Sequence, residues 1–302
     1  MKIVITTSSF AKYDRLPLDE LEKNQIDYTI NPYGRKLTKD EVIDLAKDAD
    51  GLVAGTELLD GDVLEQLPKL KVISRCGAGL DTVDLEKAKK LNIEVLFTPY
   101  GPTLAVAELT LGLILGLLRK ITTMDRELRA GLWKKQMGNQ LKGKKIGILG
   151  LGRIGQKVAG LLTPLGVEIA YYDIRTIEGA FNPMSKNKLL SWADIITIHR
   201  PANADGKPVI GEAELNLMKD NKWLINVSRG GMVDEDALYT ALKEGKLLGA
   251  ALDVFENEPY EGPLCSLDNV ILTPHIGSYA KEGRIQMEKD AVQNLINGLQ
   301  NL

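Results

Sequence analysis

The sequence predicts an α/β protein built from two doubly wound parallel sheets. Three observations lead there. Short β-branched runs alternate with amphipathic helical patterns along almost the whole chain. A glycine-rich turn joins an apolar run to a helical pattern at 150–155. The length of 302 residues suggests two domains, at about 150 residues each.

In the first third, residues 2–6, 27–30, 51–54, 71–75 and 93–96 read as strands. Helical patterns at 18–24, 38–47, 62–66 and 83–90 separate them, and strand–helix–strand repetition implies parallel pairing. Thr38, with Glu41 three residues on, has the spacing of a capping box. The stretch Thr98-Pro99-Tyr100-Gly101-Pro102 interrupts the pattern. A helix follows at 103–118, apolar on every side and therefore destined for a core or an interface. Its most apolar part, 109–118, is too short to span a bilayer. From Lys144 onward, strands at 145–149, 168–172, 195–199, 223–227, 250–254 and 270–273 match a six-stranded doubly wound sheet. A last helix is expected at 281–299.

Composition narrows the function. The 38 Lys and Arg against 41 Asp and Glu leave a net charge of -3, which argues against nucleic acid as a partner. Two cysteines, Cys76 and Cys265, make no disulfide framework, so a reducing cytoplasm is expected. With only two histidines as well, a His/Cys zinc site is not expected, and no metal is assigned. The N-terminal MKIVITTSSF lacks the apolar core and cleavage site of a signal peptide, so no membrane partner is expected. Any general base drawn from histidine must be His199 or His275.

The segment from Lys144 carries Gly150-Leu151-Gly152-Arg153-Ile154-Gly155 after an apolar strand and before a helix at 156–162. The first glycine permits the tight turn, the second lets backbone approach a pyrophosphate, and the third allows close helix–sheet packing. The next strand ends in Asp173, 18 residues past Gly155. A carboxylate there accepts hydrogen bonds from a ribose 2′-hydroxyl and repels a 2′-phosphate, which predicts NAD as cofactor. Arg175 nearby weakens that discrimination.

Arg229, Glu258 and His275 each follow a predicted strand, and carboxyl ends of parallel strands share one edge. A guanidinium holds a carboxylate through a forked pair of hydrogen bonds. An imidazole takes a proton from a hydroxyl as hydride leaves the same carbon, and a neighbouring carboxylate orients it. Singly, such residues are more often structural; the trio beside a dinucleotide turn points to a dehydrogenase.

On these segments the chain resembles the D-isomer-specific 2-hydroxyacid dehydrogenase family. The matching text is GLGRIG at 150–155, NVSRGG at 226–231, DVFENEP at 253–259 and TPHIG at 273–277. The resemblance implies a flavodoxin-like substrate domain, 1–98 plus 280–302, and a Rossmann NAD-binding domain, 99–279. It implies Arg229 as substrate clamp, His275 as acid/base, Glu258 as its partner and Asp253 as a supporting acid near the nicotinamide. Gly150, Gly152, Arg153, Ile154, Gly155, Asp173, His199, Pro201 and Val227 would border the cofactor, with His199 packing or capping rather than catalytic. Arg200 is a departure, since the family more often has a small or apolar residue there.

In the first domain, Arg75, Cys76, Gly77, Ala78 and Gly79 form a turn whose N–H groups would reach the substrate carboxylate, or else a simple packing turn. This segment and 98–101 look most like phosphoglycerate dehydrogenases, implying oxidation of D-3-phosphoglycerate to 3-phosphohydroxypyruvate in serine biosynthesis. Arg75 leads the phosphate-binding candidates, ahead of Arg129 and Lys134, unless it pairs with Asp81 or Asp84. The alternatives are a glyoxylate/hydroxypyruvate reductase, another D-2-hydroxyacid dehydrogenase, or a catalytically silent NAD-binding corepressor. Retention of Arg229, Glu258 and His275 disfavours the last. The resemblance also implies a homodimer through residues 103–133, with Trp133 reaching towards the partner. Cleft closure about hinges near Pro99 and 277–280 is expected. Ending at Leu302, the chain is expected to lack a C-terminal regulatory domain.

Overall fold

The computed structural model describes residues 1–301 except 178, 180, 204 and 219–221. It divides into two compact units, Met1–Ala105 with Ser278–Leu302, and Val106–Gly277.

The first unit alternates β1 (Lys2–Ile5), α1 (Leu16–Lys23), β2 (Asp27–Ile30), α2 (Lys39–Ala46), β3 (Gly51–Ala54), α3 (Gly61–Glu65), β4 (Val72–Arg75), α4 (Leu85–Lys90) and β5 (Glu94–Phe97). All pairings are parallel and the order is β2-β1-β3-β4-β5, the flavodoxin-like winding. The expected capping box forms: the Thr38 hydroxyl accepts from the Glu41 N–H, and the Glu41 carboxylate accepts from the Thr38 N–H. α3 and α4 are likewise started by side-chain caps, Asp60 and Asp84.

Next comes α5 (Gly101–Leu118), starting two residues earlier than the Pro-Gly break suggested. Pro102 costs nothing in a first turn, where its missing N–H has no acceptor in any case. This helix is long and apolar enough to cross a membrane by composition alone. It instead buries Val106, Ala107, Leu113, Ile114, Leu117 and Leu118 in the second unit's core, beside Ile146, Ile148 and Ile225.

The second unit continues with α6 (Ile121–Arg129), β6 (Lys145–Leu149), α7 (Arg153–Leu162), β7 (Glu168–Tyr172), β8 (Asn182–Pro183), α8 (Lys186–Trp192), β9 (Ile195–Ile198), α9 (Glu212–Leu217), β10 (Trp223–Asn226), α10 (Glu235–Lys243), β11 (Gly249–Leu252) and β12 (Val270–Leu272). The order β12-β11-β10-β9-β6-β7-β8 is wholly parallel. It has seven strands rather than the expected six. The added strand, β8, is a two-residue edge paired to Ala170 and Tyr171, too short for any hydrophobic period to betray it. α11 (Lys281–Gln300) belongs to the first unit, where Met287, Ala291, Val292 and Leu295 pack with Ile3, Ile5 and Val53.

Winding reverses between β6 and β9, which makes a crevice at their carboxyl ends. Every segment singled out in the second unit emerges on that edge. Gly150 follows β6, Asp173 follows β7, His199 follows β9, Arg229 follows β10, Asp253 follows β11 and His275 follows β12.

Candidate active site

The three glycines of the turn are distinguishable by what surrounds them. Gly150 has φ +96°, and a Cβ there would press on the His199 carbonyl and the Arg200 side chain. A Cβ on Gly155 would collide with the Gly150 carbonyl. At Gly152 a Cβ would meet nothing within 4 Å. So Gly150 and Gly155 are required by packing, whereas Gly152 faces open space at the mouth of the crevice. Gly152 is also the N-cap of α7 and gives it no side-chain cap. Backbone N–H groups of such a first turn, with the helix field behind them, suit a pyrophosphate.

Asp173 reaches back to this turn. Its Oδ2 accepts from the Leu151 N–H at 2.7 Å and its Oδ1 from the Arg175 N–H at 3.1 Å. The carboxylate thus anchors the turn while standing at the end of β7, where a ribose would lie. Open space at Gly152, an uncapped helix start and this carboxylate together fit a dinucleotide. Arg153 is exposed and Ile154 half-buried at the same helix start.

His199 closes the far side of the crevice. Its Nε2 lies 2.8 Å from the Thr197 Oγ1, and its Nδ1 is buried without a hydrogen-bond partner. Burial pushes its pKa down to about 3. The residue as a whole is half-buried, so the downward shift belongs to a ring whose Nδ1 is shut away from water. Arg200, the departure from the family pattern, packs beside Gly150 and donates from Nη2 to the Asn203 Oδ1 at 2.8 Å. Pro201 is exposed, and Val227 is buried with the core.

Glu258 and His275, the pair that the resemblance implies, lie in contact. Nδ1 of His275 lies 2.8 Å from Oε2 and 3.1 Å from Oε1 of Glu258. Both side chains are partly open to solvent, at 44% and 37% exposure. Oε1 of Glu258 also accepts from the Phe255 N–H at 3.1 Å, which fixes the carboxylate to its own loop. His275 has φ +53°, an unusual conformation for a side chain of its size.

Asp253 explains how that conformation is held. It is wholly buried, and its Oδ1 accepts from the Thr273 hydroxyl at 2.6 Å and the Ile276 N–H at 2.8 Å. Its Oδ2 accepts from the Gly277 N–H at 2.7 Å. These groups bracket His275 on both sides. Burial raises the Asp253 pKa, opposed by the same three hydrogen bonds. The acid expected beside the nicotinamide is therefore engaged as a brace for the His275 loop.

Two further residues escaped the sequence reading as individuals. Asn226, at the end of β10, is 1% exposed. A Cβ on Gly230 would collide with the Phe255 carbonyl, so only glycine lets the Arg229 loop lie against the Glu258 loop. Both sit in the quoted NVSRGG segment, but nothing local distinguishes them from their neighbours. Arg229 itself is half-buried, with Nη1 donating to the Ser228 carbonyl at 2.7 Å.

Further candidates lie in the first unit, in the turn after β4. Cys76 buries its side chain in the core, which pushes its thiol pKa up to about 12. Its N–H is given to Ala54 and its carbonyl accepts from Arg75 Nη1. The Gly77 N–H goes to the Thr98 hydroxyl at 2.8 Å. Cys76 and Gly77 therefore shape the turn, and Ala78 and Gly79 continue it half-buried. Asp84 is committed to capping α4. Arg129 pairs with Asp125 at 2.9 Å, and Lys134 stands 3.7 Å from Glu127. No cluster of His, Cys, Asp or Glu suited to a metal occurs among the described residues.

The chain resembles known proteins in sequence and in fold. Residues 111–277 match the family model described as the D-isomer specific 2-hydroxyacid dehydrogenase NAD binding domain. The chain is 43% identical over 259 residues to a D-3-phosphoglycerate dehydrogenase of Methanocaldococcus jannaschii, covering 82% of this chain and 49% of that one. It therefore spans about half the length of that relative. It is 42% identical over 274 residues to a glyoxylate reductase of Thermofilum pendens, covering 86% of this chain and 81% of that one. A crystal structure of a Thermus thermophilus protein superposes with a TM-score of 0.93 at 34% identity, covering 100% of this chain and 97% of that one.

Proposed function

The chain belongs to the D-isomer-specific 2-hydroxyacid dehydrogenase family, and from that premise we propose that it interconverts a small D-2-hydroxy acid and its 2-keto acid using NAD. The observation that carries this reading is the Glu258–His275 pair, 2.8 Å apart on the edge that also bears the glycine turn. A bound nicotinamide supplies or accepts the hydride. Arg229 holds the substrate carboxylate through two parallel N–H bonds, which fixes the reacting carbon. His275 Nε2 gives a proton to the substrate oxygen in reduction and takes it back in oxidation. Glu258 keeps the proton on Nδ1 in the neutral ring and stabilises the charged ring when both nitrogens are protonated. NAD is preferred to NADP because Asp173 places a carboxylate at the end of β7.

For the substrate, D-3-phosphoglycerate is supported by the turn after β4 and by the Methanocaldococcus relative. A second reading, glyoxylate or hydroxypyruvate reduction, is supported by a relative of nearly equal identity that this chain matches over four fifths of its length. A cytoplasmic homodimer completes the proposal. It is supported by the exposed Leu128, Leu132, Trp133 and Met137 on and after α6, and sedimentation of the purified chain tests it.

The activity test measures NADH formation with 3-phosphoglycerate, glycerate and lactate, and NADH consumption with glyoxylate and hydroxypyruvate. Wild type is expected to turn over at least one pair and His275→Ala none at a comparable rate. Absence of turnover in both directions overturns the reading.

A further inference from the structure

We infer that Asn226 is a positioning residue of the substrate clamp: its side chain templates the turn that presents Arg229. Deepening the proposed function, this inference rests on the reading of Arg229 as the carboxylate clamp.

The Asn226 amide lies below the turn and is satisfied by it. Oδ1 accepts from the Ser228 N–H at 3.1 Å and from the Ser228 hydroxyl at 2.8 Å. Nδ2 donates to the Arg229 carbonyl at 2.9 Å. One planar group thus binds the backbone on both sides of the Ser228–Arg229 peptide. An aspartate, even of the same shape, has no donor for the Arg229 carbonyl when ionised, and a leucine has neither function. The side chain is almost fully buried, so these bonds form where water does not compete and where leaving the carbonyl unpaired is costly.

The same residue also touches the acid/base side. Its main-chain carbonyl accepts from the Asp253 N–H at 2.9 Å, and Asp253 braces the His275 loop. Asn226 therefore ties the end of β10, which carries the clamp, to the end of β11, where Asp253 braces the loop of the proton carrier. Its side chain serves the clamp alone, whereas its backbone is kept by any substitution. That separation makes the role testable. Removing the amide should loosen Arg229 while leaving the Asp253 bond and the glycine turn intact.

The test is a double-mutant cycle of Asn226→Ala and Arg229→Ala, with Asn226→Asp as a near-isosteric second variant in case the alanine folds poorly. Three quantities are read: kcat and KM for the best 2-keto acid, NADH affinity by fluorescence, and affinity of the NADH-loaded protein for oxalate by calorimetry. Oxalate reads carboxylate binding without turnover. Either single Asn226 variant should lose about tenfold or more in kcat/KM, chiefly through KM, with oxalate affinity falling in parallel. NADH affinity should change by less than about twofold. In the Arg229→Ala background, Asn226→Ala should cost almost nothing further, because the two act as one unit. Multiplicative losses, or NADH affinity falling in step with kcat/KM, would overturn the inference and leave the dehydrogenase reading standing. A wild type that neither binds oxalate nor reduces any 2-keto acid would overturn both.

Discussion

Glu258 grips His275 by Nδ1 and leaves Nε2 as the ring atom that can face a substrate. The carboxylate is in turn fixed by the Phe255 N–H, and the histidine's backbone by the Asp253 brace. Orientation is thus built in from both ends before any substrate arrives. The two substitutions should consequently differ in kind. His275→Ala removes the proton carrier and should lower kcat in both directions by at least about a hundredfold. Glu258→Gln keeps a hydrogen-bonding partner but loses the charge that stabilises the protonated ring, and should lose about ten- to a hundredfold. Steady-state rates with NADH binding measured alongside check this, and NADH affinity should stay level in both. Equal activity in Glu258→Gln and wild type would remove the carboxylate from the mechanism.

The turn's glycines predict opposite failures. Gly152→Ala meets no atom within 4 Å, so the chain should fold with an unchanged Tm. The added methyl would stand where the pyrophosphate must approach, so KM for NAD should rise about tenfold or more. Gly155→Ala and Gly230→Ala instead drive a methyl into backbone, the Gly150 carbonyl in one case and the Phe255 carbonyl in the other. Both should lower Tm before any kinetic effect is read. Thermal unfolding of the three variants separates the ligand-facing glycine from the packing ones.

How much of this was visible beforehand depends on whether the signal was local. Strands such as Gly51–Ala54 and Lys145–Leu149 have the bounds their apolar runs imply, because both faces are buried and the pattern ends where burial ends. The start of α5 was misplaced because Gly101 and Pro102 read as a break. The glycine is there for a long-range reason: a Cβ would lie 2.8 Å from that of Met287 on α11. The site divides in the same way. Arg229, Glu258 and His275 announce themselves by type and by following strands. The contacts of Asn226, Gly230 and Asp253 depend on which loops meet, and no window of sequence contains that information.

Asp173 has two duties, and they predict a graded series. As a ribose acceptor it should discriminate against a 2′-phosphate; as the acceptor for the Leu151 N–H it holds the turn. Asp173→Ala loses both, so KM for NAD should rise about tenfold or more and the NAD/NADP preference should narrow. Asp173→Asn keeps an acceptor for Leu151 but drops the charge. Its preference should narrow with a smaller rise in KM for NAD. Measuring kcat/KM with both cofactors decides; an unchanged ratio in both variants would show that another residue, with Arg175 the nearest cation in sequence, sets cofactor choice.

His199 gives the protein an acid-side liability. Its pKa falls from 6.5 to about 3 because the ring is enclosed, so the folded state keeps it neutral while the unfolded state takes a proton as pH drops below 6.5. Proton uptake by the unfolded chain alone favours unfolding. The contribution of His199 to stability is therefore fully present above pH 6.5 and is lost progressively between pH 6.5 and about 3. A non-titrating ring of similar volume removes this dependence. His199→Phe should lower Tm at pH 8, since it forfeits the bond to Thr197, yet lose less Tm than wild type on going to pH 5. Under the proposed mechanism, in which His275 carries the proton, the same variant should retain the wild-type shape of the kcat profile against pH. A flattened kcat profile in His199→Phe would transfer the acid/base role to His199.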